Sequence, residues 1–218
     1  MPAFGPVNIR GMFDEMYDIA AQLALKWARH GPSQAILAAD DFTRLAFDTI
    51  ALCSMDFRFN SFYREFAHPF ISSMGDALTE SGKRYMRPSV AKVFYRAMTK
   101  KYFKDIKMMR EVADEVVQAR RANPDNKKKD LLAAMMNGVD PKTGKKMNDV
   151  SITDNLITFL IAGHETTSGT LSFLFYSLLK NPDCYQKAQK EVDDIMGKEP
   201  ITVEKIFKLK YIPAVSTS

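Results

Sequence analysis

Between Asn148, suited to cap a helix N-terminus, and the pair Asn181-Pro182, nothing in the sequence interrupts a helical pattern of about 32 residues. At 1.5 Å per residue such a helix is roughly 48 Å long, so it is expected to cross its domain with its middle in the core. The middle is ill suited to that. Residues 155–176 are apolar at both ends, yet Gly163 to Gly169 gathers two glycines, three hydroxyls, a histidine and a carboxylate. Each glycine costs a helix interior about 0.8–1 kcal/mol relative to alanine, and Thr and Ser several tenths, so this heptad is roughly 3 kcal/mol worse than an alanine version. Such a conflict inside an otherwise consistent element tends to mark function.

Three uses of the segment can be weighed on its residues. A membrane span fails, because His164 and Glu165 would sit at mid-bilayer with no second span to receive them. A zinc-protease helix needs His-Glu-x-x-His, and the last position here is Ser168. A plain core helix accounts for Leu156, Phe159, Leu160, Leu171 and Phe175, but not for Glu165 and Thr166 between apolar flanks. Ala162 and Thr166 share a helix face, and a threonine can bond the carbonyl four residues back, bending the helix and opening a groove beside Ala162 and Gly163. The residues alone leave two readings open: a buried cofactor or substrate site with Thr166 and Glu165 as proton donors, or a packing irregularity.

The rest of the chain reads as all-α. A helix face runs from Met12 to Trp27 and stops at His30-Gly31-Pro32. Asp40-Asp41 offers a cap and acidic first turn for a helix through Leu45, Leu52 and Met55. The aromatic stretch Asp56 to Tyr63 is expected to pack on the body, and Pro69 to open a helix carrying Phe70, Ile71, Met74 and Leu78. A long amphipathic helix follows Arg87-Pro88 and ends near Ala122-Asn123-Pro124, leaving a polar connection over residues 125–129. Asp130 caps a short helix closed by Gly138, and residues 140–144 form a tight turn. Pro182 starts another helix with Gly197 after its end, and Thr202 begins a last short turn.

At 218 residues the chain suffices for one sizeable domain, and 46% apolar with 26% charged residues is ordinary for a globular protein. A net charge of +5, with the basic residues read as spread among acids, speaks against nucleic acid as a partner. Cys53 and Cys184 have neither metal nor disulfide spacing, and Cys53, inside an apolar run, reads as a buried structural thiol. The first residues lack a signal peptide, and no membrane anchor is seen. The expected location is cytoplasmic, with peripheral membrane contact left open.

The hexad Ala162-Gly163-His164-Glu165-Thr166-Thr167 resembles the oxygen-binding motif of the long central helix of cytochromes P450. Further matches run along the chain: Thr43-Arg44-Leu45, Asp48-Thr49-Ile50, Leu52-Cys53, Arg58 to Tyr63, His68 to Ile71, Ser73-Met74, the turn from Gly138 to Gly144, and Lys180-Asn181-Pro182. Together these resemble the soluble fatty-acid hydroxylases that carry their own reductase.

The resemblance implies a partial cytochrome P450 fold over residues 1–218, with distal helices around a long central helix. It implies that Thr166 hydrogen-bonds dioxygen and delivers protons for O–O cleavage, with Glu165 in the proton relay. Ala162, Gly163 and Thr167 would adjoin the haem and Phe159 would flank it, while Met74, Leu78 and Ala162 would line a fatty-acyl channel. Fatty acid and O2 are the implied substrates, haem the cofactor, and FAD, FMN and NADPH belong to a reductase domain or protein. The family also needs a cysteine thiolate below the iron. Neither Cys53 nor Cys184 lies in the family's Phe-x-x-Gly-x-x-x-Cys-x-Gly loop, and its Glu-x-x-Arg helix is not found. The expectation is therefore a haem-domain piece, lacking an N-terminal part and the Cys-ligand part, that is inactive by itself. The rival reading is a non-catalytic helical fatty-acyl-binding protein or a vestigial one.

Overall fold

The computed structural model describes residues 5–87, 95–123 and 128–217. Among them the regular elements are helical: α1 (Pro6–Gly11), α2 (Phe13–His30), α3 (Ala38–Met55), a 3-10 turn (Ser61–Tyr63), α4 (Pro69–Tyr85), α5 (Arg96–Ala122), α6 (Leu131–Asn137), α7 (Asp149–Lys180), α8 (Pro182–Met196), α9 (Val203–Ile206) and α10 (Tyr211–Thr217). The one extended pairing among these residues is an isolated bridge between Val139 and Lys146. The all-α expectation holds. Most of the polar connection expected over residues 125–129 lies outside the described residues, as do Pro88 and Pro124.

The structure divides into two compact units. One comprises Phe47–Gly163; the other combines Pro2–Ala46 with His164–Ser218. The division falls inside two helices, α3 between Ala46 and Phe47 and α7 between Gly163 and His164.

The first unit has a dense apolar core. Phe47, Phe59 and Phe70 stack with centroids 4.5 and 5.5 Å from Phe47, and Leu131, Leu132, Leu156 and Leu160 are fully buried. Two polar knots sit inside it. The Asp48 carboxylate accepts from the Ser61 backbone N–H at 2.7 Å and from its hydroxyl at 2.6 Å, which ties the aromatic stretch after α3 back onto the helix as the sequence predicted. Arg120 pairs with Asp130 and donates to the Met55 carbonyl at 2.9 Å, while Asp130 also caps α6 by accepting from Ala133 N–H at 2.8 Å. Each buried charge thus meets an opposite charge or an oriented dipole, which such burial requires. The Thr153 hydroxyl donates to Asp114 at 2.7 Å and joins α7 to α5.

In the second unit, Trp27, Phe42 and Phe175 form an aromatic cluster with centroids 5.0–6.0 Å apart. Asp40-Asp41 was expected to supply a cap and an acidic first turn for α3. The helix begins at Ala38, so both acids fall in its first turn as expected, but the Asp41 side chain is buried, accepting from Trp27 Nε1 at 2.7 Å and pairing with Lys26. A carboxylate that can meet an indole N–H and an ammonium is held by them more strongly than by a free helix end. The face of α2 is also narrower than its pattern implied, since Ile19 and Leu23 are buried and Met16 and Ala20 are exposed. Helix α10 had no counterpart in the sequence reading. It is started by Glu191, whose carboxylate accepts from the backbone N–H groups of Lys210, Tyr211 and Ile212 at 2.6–3.0 Å. Those three bonds, with that to Tyr211 largest, hold the Glu191 carboxyl below its ordinary range.

His68 precedes Pro69 as the cap of α4, and its Nδ1 accepts from Phe70 N–H at 3.2 Å. Burial among Phe47 and Phe59, aided by the Arg64 charge, lowers its pKa from 6.5 to about 4. Above pH 6.5 the imidazole is neutral folded or unfolded; between 6.5 and about 4 only the unfolded chain takes up the proton, so stability falls as the solution is acidified. Urea midpoints measured from pH 7 to pH 4 should therefore decline in the wild type, and decline less in His68→Asn, which keeps a capping oxygen without the titration.

Candidate functional site

Helix α7 is one unbroken α-helix from Asp149 to Lys180, capped by the Asn148 side chain on Ser151 N–H at 2.8 Å. Its buried positions are Thr153 and a run, Ile152, Leu156, Leu160, His164 and Ser168, that recurs every four residues. One stripe is inward, and the remainder is free to face elsewhere.

Two expectations change here. The middle was expected in the core, but Ala162, Glu165, Thr166 and Thr167 are all exposed. A four-residue stripe satisfies burial without them. The turn was also expected to open, and α7 is helical throughout. Hydroxyls along the helix add bonds to carbonyls of the preceding turn, from Ser168 to Glu165 at 3.1 Å, Thr170 to Thr166 at 2.9 Å and Ser172 to Ser168 at 2.7 Å, while the helix stays regular. A carbonyl oxygen has two lone pairs, so a side chain can share it with the ladder.

At about 100° per residue, Thr158, Ala162, Thr166, Phe173 and Tyr176 lie along one exposed line of α7. Glu165 sits about 60° to one side of Ala162 and Phe159, half-buried, about 60° to the other. Thr167 is exposed but stands about 100° around from Thr166, off that line. The outer face therefore carries a bare patch at Ala162, a hydroxyl one turn on, a carboxylate on one flank and an aromatic ring on the other. Such a face can receive a flat apolar ring and keep an exchangeable proton beside it.

Gly163 has a separate role. A Cβ placed on it would lie 2.7 Å from Ile50 Cγ1 and 2.9 Å from Cδ1, so glycine lets α7 press against α3 within the first unit. Sequence reasoning missed Ile50, because only the helix phase seen in three dimensions marks it. Met74 and Leu78 are one turn apart on α4 but differ, Met74 being buried and Leu78 42% exposed. Cys53 is buried in α3 and Cys184 lies in the first turn of α8. Among the described residues no three His, Cys, Asp or Glu side chains cluster to hold a metal ion.

Comparison with known proteins shows which family the chain belongs to. The chain matches the cytochrome P450 family over residues 1–216, and it belongs to that family. It is 63% identical over 216 residues to a bifunctional cytochrome P450/NADPH–P450 reductase of Fusarium oxysporum and 58% identical over 215 residues to one of Aspergillus oryzae. A self-sufficient cytochrome P450 monooxygenase of Phanerodontia chrysosporium is 53% identical over 215 residues. In each case 99% of this chain is covered, and it spans about a fifth of the relative's length.

Gly163→Ala tests the packing role. Overpacking against Ile50 should outweigh the helix propensity gained and lower stability by about 1 kcal/mol or more. In an Ile50→Ala background the sign should reverse, because the Cβ then enters vacated space. Paired urea denaturation of the four proteins reads this out.

Proposed function

We propose that this chain supplies the oxygen-side wall of a haem-thiolate monooxygenase that hydroxylates fatty acids with electrons passed from NADPH through a reductase. The observation that carries the reading is the outer line of α7, where Ala162 leaves room and Thr166 and Glu165 place a hydroxyl and a carboxylate beside it. That face would hold one side of a haem through Ala162 and Phe159, with Thr167 and Gly163 completing the turn. Bound there, haem supplies the activation of dioxygen.

The residues of this chain do the rest of the local work. The Thr166 hydroxyl holds a proton at the patch beside Ala162, and the Glu165 carboxylate, exposed one residue earlier, replenishes it from solvent. Leu78, exposed on α4, and Met74 behind it give apolar surface for an acyl chain. FAD and FMN belong to the reductase part, as the names of the relatives imply a fused partner. We place the protein in the cytoplasm, touching membranes at most at their surface; no helix among the described residues is long and apolar enough to cross one.

Neither Cys53, buried in α3, nor Cys184 on α8 lies in a thiolate loop, so the 218-residue chain alone is taken to be inactive. Titrating it with haem and reducing it under carbon monoxide should give no thiolate-type Soret band; such a band would overturn the inactivity. In a whole reductase-fused protein carrying this segment, Thr166→Ala should lower product formed per NADPH by about tenfold or more, release peroxide and leave haem content unchanged. Unchanged coupling would remove Thr166 from the proton path.

A further inference from the structure

Gly163 differs from the other glycines inside the long helices. At Gly75, Gly82 and Gly169 a Cβ would meet nothing of the surrounding structure within 4 Å, so packing does not ask for glycine there. At Gly163 the three atoms nearest to such a Cβ, at 2.7, 2.9 and 3.2 Å, are Cγ1, Cδ1 and Cβ of Ile50. A single side chain therefore fills the space beside this turn of α7.

That side chain is mounted on a fixed frame within the first unit. Two residues before it, the Asp48 carboxylate is held by the backbone N–H and hydroxyl of Ser61, and three before it Phe47 stacks with Phe59 and Phe70. One turn after it, the buried Ser54 donates its hydroxyl to the Ile50 carbonyl. Isoleucine adds stiffness of its own, because a β-branched side chain in a helix has one strongly preferred χ1 rotamer. Gly163 thus meets a stop that yields little, and its neighbours on α7 take their places from that contact. Phe159, half-buried, lies about 40° around the helix from Gly163, and the exposed Ala162 about 100°.

We propose that Ile50 is a positioning residue for the outer face of α7: its bulk sets how far α7 stands from α3, and so where Ala162 and Phe159 stand toward the haem they would hold. It acts through Gly163 and is not itself part of that face. The inference rests on that face being the haem side of the protein. Misplacing a group at a reacting centre by about 1 Å can cost on the order of a hundredfold in rate, so a stop of three carbon atoms is large enough to matter. Protein packed around a deleted side chain closes the space only in part, so truncating Ile50 leaves α7 less firmly placed instead of simply nearer.

Two preparations separate the contact from its consequence. In the 218-residue chain without haem, amide hydrogen exchange over residues 159–163, relative to the rest of α7, should be about fivefold faster in Ile50→Ala than in the wild type, with Ile50→Val in between. In a whole reductase-fused protein carrying this segment, Ile50→Ala should form about threefold less product per NADPH at unchanged haem content. Val117→Ala, which trims a buried side chain of α5 and so costs stability elsewhere, should change neither readout. Equal relative exchange in Ile50→Ala and wild type, or a loss of coupling as large in Val117→Ala, would overturn the proposal. Unchanged coupling in Ile50→Ala would overturn it too, and Thr166→Ala then shows what falls with it. If Thr166→Ala uncouples, the face keeps its role and Ile50 alone loses its own; if it does not, both readings fall together.

Discussion

The close approach of α7 to α3 at Gly163 constrains much of what the site can be. A side chain there would meet Ile50 at distances no real Cβ tolerates, so the helix is pinned at one point of its length. Because side chains repeat by angle along a helix, that contact fixes the direction of the neighbouring residues of α7 in the first unit. With Gly163 turned to Ile50, Ala162, Glu165 and Thr166 are turned out. The glycine that looks like a concession in helix propensity is thus what lets the helix seat against α3.

Within each unit, buried polar groups are held by specific partners rather than tolerated. Asp48 fastens the aromatic stretch after α3, Asp130 both caps α6 and neutralises Arg120, and Asp41 anchors α2 through Trp27. Each could satisfy only a local need on paper, yet each serves a contact distant in sequence. Low dielectric makes such bonds costly to break, which gives each of these joins a defined geometry instead of a sliding apolar one.

The features legible in the sequence were those that depend on local order. Helix α7, its Asn148 cap, the Asp130 cap, Pro69 and Pro182 as helix starts and Gly197 after α8 were all readable, because each is decided by a few neighbouring residues. The hexad could be matched to a family for the same reason. What could not be read were choices between competing partners. Asp41 had a helix end and an indole within reach, and chose the indole; Glu191 found three amides about twenty residues ahead and so created α10. Residues 81–104 contain eight Lys and Arg and no Asp or Glu, so the basic residues are not evenly spread among acids, an asymmetry that a whole-chain sum averages away.

By itself the sequence determined that the chain is helical, that its longest helix carries an acid–threonine pair at a propensity fault, and that this pattern is that of a cytochrome P450. Periodicity and motif spacing are one-dimensional properties, so one dimension suffices for them. Only the tertiary structure decided which side of that helix is inward. The long helix was expected to bury its middle, but a stripe of one residue in four was enough to seat it, and burial of a stripe is a matter of angle that no count along the chain supplies.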